Sequence, residues 1–297
     1  MILVTGSAGL TGRFVTRALA KAGHDVLAMI HRPEQESVVR DAVAREALAG
    51  DLLDPGAVAR AMAKATAVYH VCPRMSNDEV TIGLTVVRAA ERAGVRHFVF
   101  HSAIHSLLAD MPHHGNKLQV EKGLIESALN YTILQPARYM QNTLVEWNAI
   151  NERGTYKVPY STEAVMCLVD LEDVATVAAR VVGDPTHFGA TYNLDSHEAL
   201  SAEEEARILS ELLGRQVVAT RVSTEDWRRA VETIRTASQV EYLLKMFAYY
   251  DRHGLRPGNA NVLSWLLGRQ PTTYREFVAR TIADSGSGNG KRLRDIP

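Results

Sequence analysis

Apolar positions open the chain as a solid run, Ile2-Leu3-Val4, and then change period. From Leu10 they recur at Phe14, Val15, Ala18, Leu19 and Ala22, the spacing of one helical face, until Gly23 stops the pattern. Val26-Leu27-Ala28-Met29-Ile30 is a second buried run and predicts another strand. The alternation continues. Ala47-Leu48-Ala49 reads as a short third strand. Asp54-Pro55 opens a helix, with Asp as N-cap and Pro at the first helical position. Ala67-Val68-Tyr69-His70-Val71 is a fourth strand, Asn77 to Ala93 a helix stopped by Gly94, and His97-Phe98-Val99-Phe100 a fifth strand. A loop is expected from Ala103 to Asn116, followed by a helix beginning at Lys117 with Val120, Leu124, Ile125, Ala128 and Leu129 on one face. Thr132-Ile133-Leu134 is a sixth strand closed by Gln135-Pro136.

The second half has a different rhythm. Asp170 to Asp173 precedes a helix carrying Val174, Val177, Ala178 and Val181, and Thr191 to Leu194 reads as a strand. Ser201-Ala202-Glu203-Glu204 is a capping box for a helix that ends at Gly214. Thr224 to His253 reads as one helix carrying Trp227, Tyr242, Leu243, Leu244, Met246, Phe247, Tyr249 and Tyr250. That stripe is either core packing or the wall of an apolar pocket. Strands alternating with helices predict an α/β fold, a Rossmann-type doubly wound parallel sheet with a smaller C-terminal α+β portion. The expected division is a nucleotide-binding domain at 1–150 and a substrate-binding portion at 151–283, with room for elements to interleave. Residues 284–297, ending in SGSGNGKRLRDIP, are expected to be a disordered tail.

Between the first strand and the first helix lies Thr5-Gly6-Ser7-Ala8-Gly9-Leu10-Thr11-Gly12, with glycine at every third position. Gly6 suits a tight turn, Gly9 lets backbone amides approach a pyrophosphate, and Gly12 lets the helix pack close on the strand. The helix N-terminus favours the negative charge. The alternative is a glycine-rich turn in a non-binding domain. The second strand ends Ile30-His31-Arg32-Pro33, with no carboxylate until Glu34. Arg32 therefore favours the 2′-phosphate of NADP(H), with NAD(H) left open and a solvated arginine as the plain alternative. Asp51 and Leu52, after the third strand, and Cys72 and Pro73, after the fourth, are placed with the cofactor.

Composition narrows the field. The 297 residues carry a net charge of -1, with 33 Lys and Arg against 34 Asp and Glu, which points away from nucleic acid and anionic membranes. Two cysteines, Cys72 and Cys167, make neither a disulfide framework nor a zinc motif. Five histidines crowd into 97–114 (His97, His101, His105, His113 and His114), but no helical HxxxH with a carboxylate base appears, so no metal is expected. No basic leader precedes the first strand, and no apolar run nears the ~20 residues of a membrane span. The expectation is a cytoplasmic protein.

The opening TGSAGLTG, the strand end FVFHSA, the segment NKLQVEKGLIESALNYTIL and the following QPARYMQN together resemble the atypical short-chain dehydrogenase/reductases of the NmrA-like group. LVDLEDVATVAARVV, GATYNLDSHEALSAEEEARILSELLGRQV and WLLGRQPTTYREFV extend the resemblance to about Ile282. The group includes NAD(P)H-dependent reductases of quinones and dyes, and redox-sensing regulators that bind NADP. The resemblance puts Ser102 at the place of the wider family's active-site serine and Lys117 at the place of its lysine, which contacts the nicotinamide ribose. Four residues before Lys117 stands His113 where the wider family has tyrosine, a departure that leaves the proton donor open. His113 could supply the proton or be a bystander; Ser102 could orient substrate or merely close a strand. Tyr139 and Asn142, after the sixth strand, are placed near the nicotinamide and the substrate. The resemblance implies an NADPH-dependent oxidoreductase acting on a small, apolar, conjugated acceptor such as a quinone, enone or dye. The rival is a non-catalytic NADP(H)-sensing regulator with a protein partner. A nucleotide-sugar epimerase or dehydratase is disfavoured by the missing tyrosine.

Overall fold

The computed structural model describes residues 1–73 and 75–286. In chain order the first elements are β1 (Ile2–Val4), α1 (Leu10–Lys21), β2 (Val26–Ile30), α2 (Glu36–Asp41), β3 (Glu46–Ala49), α3 (Pro55–Met62), β4 (Ala67–His70), α4 (Glu79–Arg92), β5 (His97–His101), α5 (Pro112–Ile125) and β6 (Tyr131–Pro136). The chain then departs through β7 (Arg138–Tyr139), α6 (Trp147–Arg153), β8 (Thr155–Val158) and β9 (Met166–Val169), and returns with α7 (Leu171–Val181) and β10 (Ala190–Leu194). Two compact units result. The first comprises Met1–Ala109, His113–Pro136 and Leu171–Leu194, and the second Asp110–Pro112, Ala137–Asp170 and 195 onward. The chain therefore passes between units several times rather than once at residue 150.

In the first unit seven strands lie in the order β10-β6-β5-β4-β1-β2-β3, and every neighbouring pair is parallel. This is the expected Rossmann-type sheet. Its order reverses between β1 and β4, and the carboxyl ends there are where ligands bind in open α/β sheets. Leu3, Leu27, Val68, Phe98, Phe100 and Ile133 from the sheet pack with Val58, Met62, Ile82, Val86, Val120 and Leu124 from α3, α4 and α5 in one apolar core. Helix α7 packs on α1.

Two helices differ from expectation. Helix α5 begins at Pro112, five residues before Lys117, because proline suits the first turn of a helix. It ends at Ile125, which is exposed, so Ala128 and Leu129 fall beyond it. The long helix over 224–253 is two, α9 (Thr224–Val231) and α10 (Ala237–His253). Thr236 caps the second: its Oγ1 accepts from Gln239 N at 3.3 Å, and Gln239 Oε1 accepts from Thr236 N at 3.1 Å. That capping box was a readable stop within the apolar run.

The remaining elements of the second unit are β11 (Ala199–Leu200), α8 (Ala202–Leu213), β12 (Val218–Arg221), α11 (Asn261–Leu267) and α12 (Tyr274–Gly286). Small sheets β11-β9-β7 and β12-β8 carry them. The Ser201–Glu204 capping box opens α8 as expected. Leu243, Phe247 and Tyr250 are buried, with Trp227 edge-on to Phe247 at 4.9 Å and Tyr160 edge-on to Tyr250 at 5.6 Å, so this part of the stripe is core. Arg138 pairs with Glu205, and Tyr156 Oη donates to the same carboxylate at 2.8 Å. Asp284 to Gly286 of the expected tail continue α12; residues 287–297 lie outside the described residues.

Candidate functional site

The three glycines of the turn meet different surroundings. Gly6 takes φ 59°, and a Cβ there would stand 2.8 Å from the Val71 carbonyl. A Cβ on Gly12 would stand 2.2 Å from the Gly6 carbonyl, so α1 rests directly on the turn. At Gly9 only the Gly6 carbonyl, at 3.2 Å, would lie within 4 Å of a Cβ. Gly9 is exposed and is the N-cap of α1, where no side chain caps the helix and no acid occupies the first turn. The amide face of Leu10, Thr11 and Gly12 with the positive end of the helix dipole fits a pyrophosphate. Thr5 and Ser7 point inward instead. Thr5 Oγ1 accepts from Val71 N at 2.9 Å and shares a 2.8 Å hydrogen bond with His70 Nδ1, which joins the ends of β1 and β4. Ser7 Oγ lies 2.7 Å from the Met29 carbonyl and 3.0 Å from the Val4 carbonyl. Ala8 is half-buried beside them.

At the end of β2, Gln35 Oε1 accepts from both His31 N, at 2.9 Å, and Arg32 N, at 3.1 Å. This clasp turns the chain and leaves Arg32 exposed. Asp51 is exposed and Leu52 buried; Asp51 Oδ1 accepts from Leu53 N at 2.9 Å, shaping its own turn. Cys72 is buried, and burial, with Glu79 next, pushes its thiol well up. Pro73 is exposed.

Helices α4 and α5 meet closely: a Cβ on Gly83 would stand 2.5 Å from Val120 Cγ2. One turn before Gly83, on the same helical face, is Glu79, only 1% exposed. Its Oε1 lies 2.6 Å from Lys117 Nζ and its Oε2 3.2 Å from His113 Nδ1. Burial works to raise the Glu79 carboxyl, but the Lys117 ammonium and then His113 outweigh it and hold it down at about 2. Lys117, itself buried, donates to the His101 carbonyl at 2.9 Å and lies 5.0 Å from the centre of the Phe100 ring. His113 and Lys117 share a face of α5, as their spacing predicts. What joins them is Glu79, which the sequence did not single out: an acid in a helix's first turn ordinarily reads as a solvated partner of the dipole.

Ser102 belongs to a second buried network. Its hydroxyl donates to Glu121 Oε1, and Gln135 Nε2 donates to the same oxygen at 2.8 Å. Ser106 donates to Glu121 Oε2 at 2.9 Å, and Asn193 Nδ2 donates to Gln135 Oε1 at 2.6 Å. His113, Lys117 and Glu121 thus form one polar stripe along α5, directed at the ends of β4, β5 and β6. Tyr69 Oη and His101 Nδ1 share a hydrogen bond of 2.7 Å.

The histidine cluster resolves into separate duties. His97 bonds Thr132 Oγ1 at 3.0 Å and accepts from Gly183 N at 2.9 Å, while His114 faces the His105 carbonyl at 3.2 Å. Among the described residues no group of three or more His, Cys, Asp or Glu side chains is gathered as for a metal ion. Nor, among them, is any helix long and apolar enough to cross a membrane. Tyr139 and Asn142 lie in the second unit, half-buried at β7 and in the 3₁₀ turn Met140–Glu146.

A model of the NmrA-like family matches residues 1–278. The NAD(P)H azoreductase of Xenophilus azovorans is 29% identical over 97% of this chain and 100% of its own. The (4-alkanoyl-5-oxo-2,5-dihydrofuran-3-yl)methyl phosphate reductase of Streptomyces griseus subsp. griseus is 31% identical over 94% of this chain and 97% of its own. An NADPH-dependent quinone oxidoreductase of Escherichia coli, solved with NADPH, superposes with a TM-score of 0.81 over 95% of this chain and 100% of its own, at 23% identity, a likeness of fold.

Proposed function

The chain belongs to the NmrA-like family, and from that membership we propose that it is an NADPH-dependent oxidoreductase whose acceptor is a small, apolar, conjugated molecule: a quinone, enone or dye. The azoreductase and reductase relatives support the class. One observation carries the choice of acceptor. The hydrogens that a simple carbonyl would call upon are committed inside the protein: Ser102 gives its hydroxyl hydrogen to Glu121, Lys117 is divided between Glu79 and the His101 carbonyl, and His113 stands where a tyrosine would. A quinone or dye that spreads its new negative charge over an extended conjugated system needs no strong acid in place, while an enone calls on a partly exposed donor, His113.

When bound, the cofactor supplies the hydride at its nicotinamide. The amides of Leu10, Thr11 and Gly12 bind the pyrophosphate across Gly9, and Thr5, Gly6, Ser7 and Ala8 keep the turn in shape. Arg32 takes the 2′-phosphate, with a planar charged fork suited to it. Asp51, Leu52, Cys72 and Pro73 flank the cofactor from neighbouring strand ends. Lys117 holds Glu79 and the end of β5 in place, and Ser102 offers its oxygen lone pairs rather than a hydrogen. Tyr139 and Asn142 serve the substrate. His113, the partly exposed member of its cluster, delivers a proton where one is needed. A cytoplasmic location agrees with two free, buried thiols.

The test is NADPH oxidation over a panel of quinones, azo dyes and enones, in wild type and in His113→Ala. Wild type should turn over quinones or dyes. His113→Ala should lower enone turnover by ~10²-fold, the usual scale of general-acid help, and barely change quinone turnover. Tight NADPH binding with no turnover of any acceptor would overturn the reductase in favour of a binding-only regulator.

A further inference from the structure

We propose that Glu79 is a positioning residue for His113, its buried carboxylate standing beside Nδ1 and drawing the ring's retained proton to that side, so that Nε2 is the nitrogen that gives up the proton. Each carboxylate oxygen stands at ion-pair distance from its own neighbour, Oε1 2.6 Å from Lys117 Nζ and Oε2 3.2 Å from His113 Nδ1, and the contact with the ring is one of charge proximity rather than an aligned hydrogen bond. At 1% exposure, water does not compete for either oxygen. Lys117 balances the charge of Glu79 and pins it, since the ammonium is itself tied to the His101 carbonyl at 2.9 Å. The close approach of α4 and α5 at Gly83 and Val120 keeps this arrangement one turn away from slack. A carboxylate against one ring nitrogen selects that nitrogen as N–H, and the other is left to do the chemistry. The charged and titratable groups around His113 are Glu79 from α4, Lys117 and His114 from α5, and His101 from β5.

The step this serves is simple in its balance. Once hydride has reached an enone, the oxyanion takes the proton on Nε2. The Nε2–H bond breaks, an O–H bond forms, the electron pair stays on Nε2, and the ring remains as its Nδ1–H tautomer against Glu79. Water returns the proton afterwards. The inference rests on the reading of His113 as proton donor, and the experiment separates the two.

Long-range proton–nitrogen NMR of protein labelled with ¹⁵N-histidine, recorded at alkaline pH, reads the tautomer directly. His113→Ala assigns the signals. Wild type should show Nδ1 protonated and Nε2 bare. Kinetically, Glu79→Gln should lower enone kcat by ~10- to 100-fold at little change in KM, the range seen for partners that orient another ligand or catalytic group. Quinone turnover should fall less than enone turnover, and Glu79→Asp, which keeps the carboxylate, should recover part of the loss. An Nε2–H tautomer in wild type would overturn the proposal without any Glu79 variant having to fold, and so would equal losses for enone and quinone. If the tautomer is as stated but His113→Ala leaves enone turnover intact, the donor reading fails while the positioning by Glu79 stands.

Discussion

Gly9 and Gly12 are three residues apart in one turn, yet a side chain on each meets a different fate. A Cβ at position 12 strikes backbone at 2.2 Å, whereas at position 9 its near surroundings are open apart from one carbonyl. Gly12→Ala should therefore destabilise the fold by about 1–3 kcal/mol or more, as overpacking does, and lower the melting temperature. Gly9→Val should leave the circular dichroism spectrum unchanged and abolish NADPH binding in calorimetry; tight binding by the folded variant would refute the site. Arg32→Asp concerns cofactor choice. A charge-assisted bond contributes roughly 1.5–3 kcal/mol, so the NADPH-to-NADH affinity ratio should fall at least about tenfold. An unchanged ratio on titrating both cofactors would remove Arg32 from the 2′-phosphate. The glycine turn was legible because its spacing is a local signal, while the proposed role of Arg32 rests on a missing carboxylate alone. Gln35, which clasps the Arg32 loop by its side chain, carried no such signal.

At the level of elements, α4 and α5 work as a pair, and Gly83 sets their distance. Alanine is the better helix former by roughly 1 kcal/mol in an isolated helix. Gly83→Ala should nonetheless lower stability, because its Cβ would meet Val120 at 2.5 Å, and it should part Glu79 from Lys117. Thermal unfolding decides it: a higher melting temperature would mean the helices yield freely there. The apolar period predicted α4 within two residues at its start and missed the start of α5 by five. The reason is visible in what α5 buries: His114, Lys117, Val120, Glu121 and Leu124. The first turns of this helix bury His114 and Lys117, so its apolar stripe begins only at Val120 and its start is hidden from the hydrophobic period. The parallel sheet was legible for the opposite reason, since strands buried on both faces stand out as continuous apolar runs.

Taken whole, the first unit stores several groups that fold only when uncharged. Burial above all holds His70 and His101 down at about 3 and His97 and His114 at about 4. Unfolded, each would take a proton near ~6.5, so between that value and the folded ones the unfolded chain binds more protons. Stability is thus full above about pH 6.5 and falls as pH drops toward 4. Glu79, ordinarily near ~4.3 but held at about 2, extends the loss below that window. Urea midpoints measured from pH 8 to 4.5 should decline steadily; a flat profile would contradict the burial of these rings. The same unit has one more property, which follows from where its last strand comes in the chain. Residues 190–194 supply β10, which pairs with β6 from Thr132 to Pro136, and α7 before it covers α1. A gene fragment stopping at 136 would encode the entire glycine turn and still end with a naked strand edge, a template for self-association. The nucleotide-binding half is therefore not a cassette. Recombination that grafted it onto another protein would have to carry everything through residue 194, including a long stretch of the other unit.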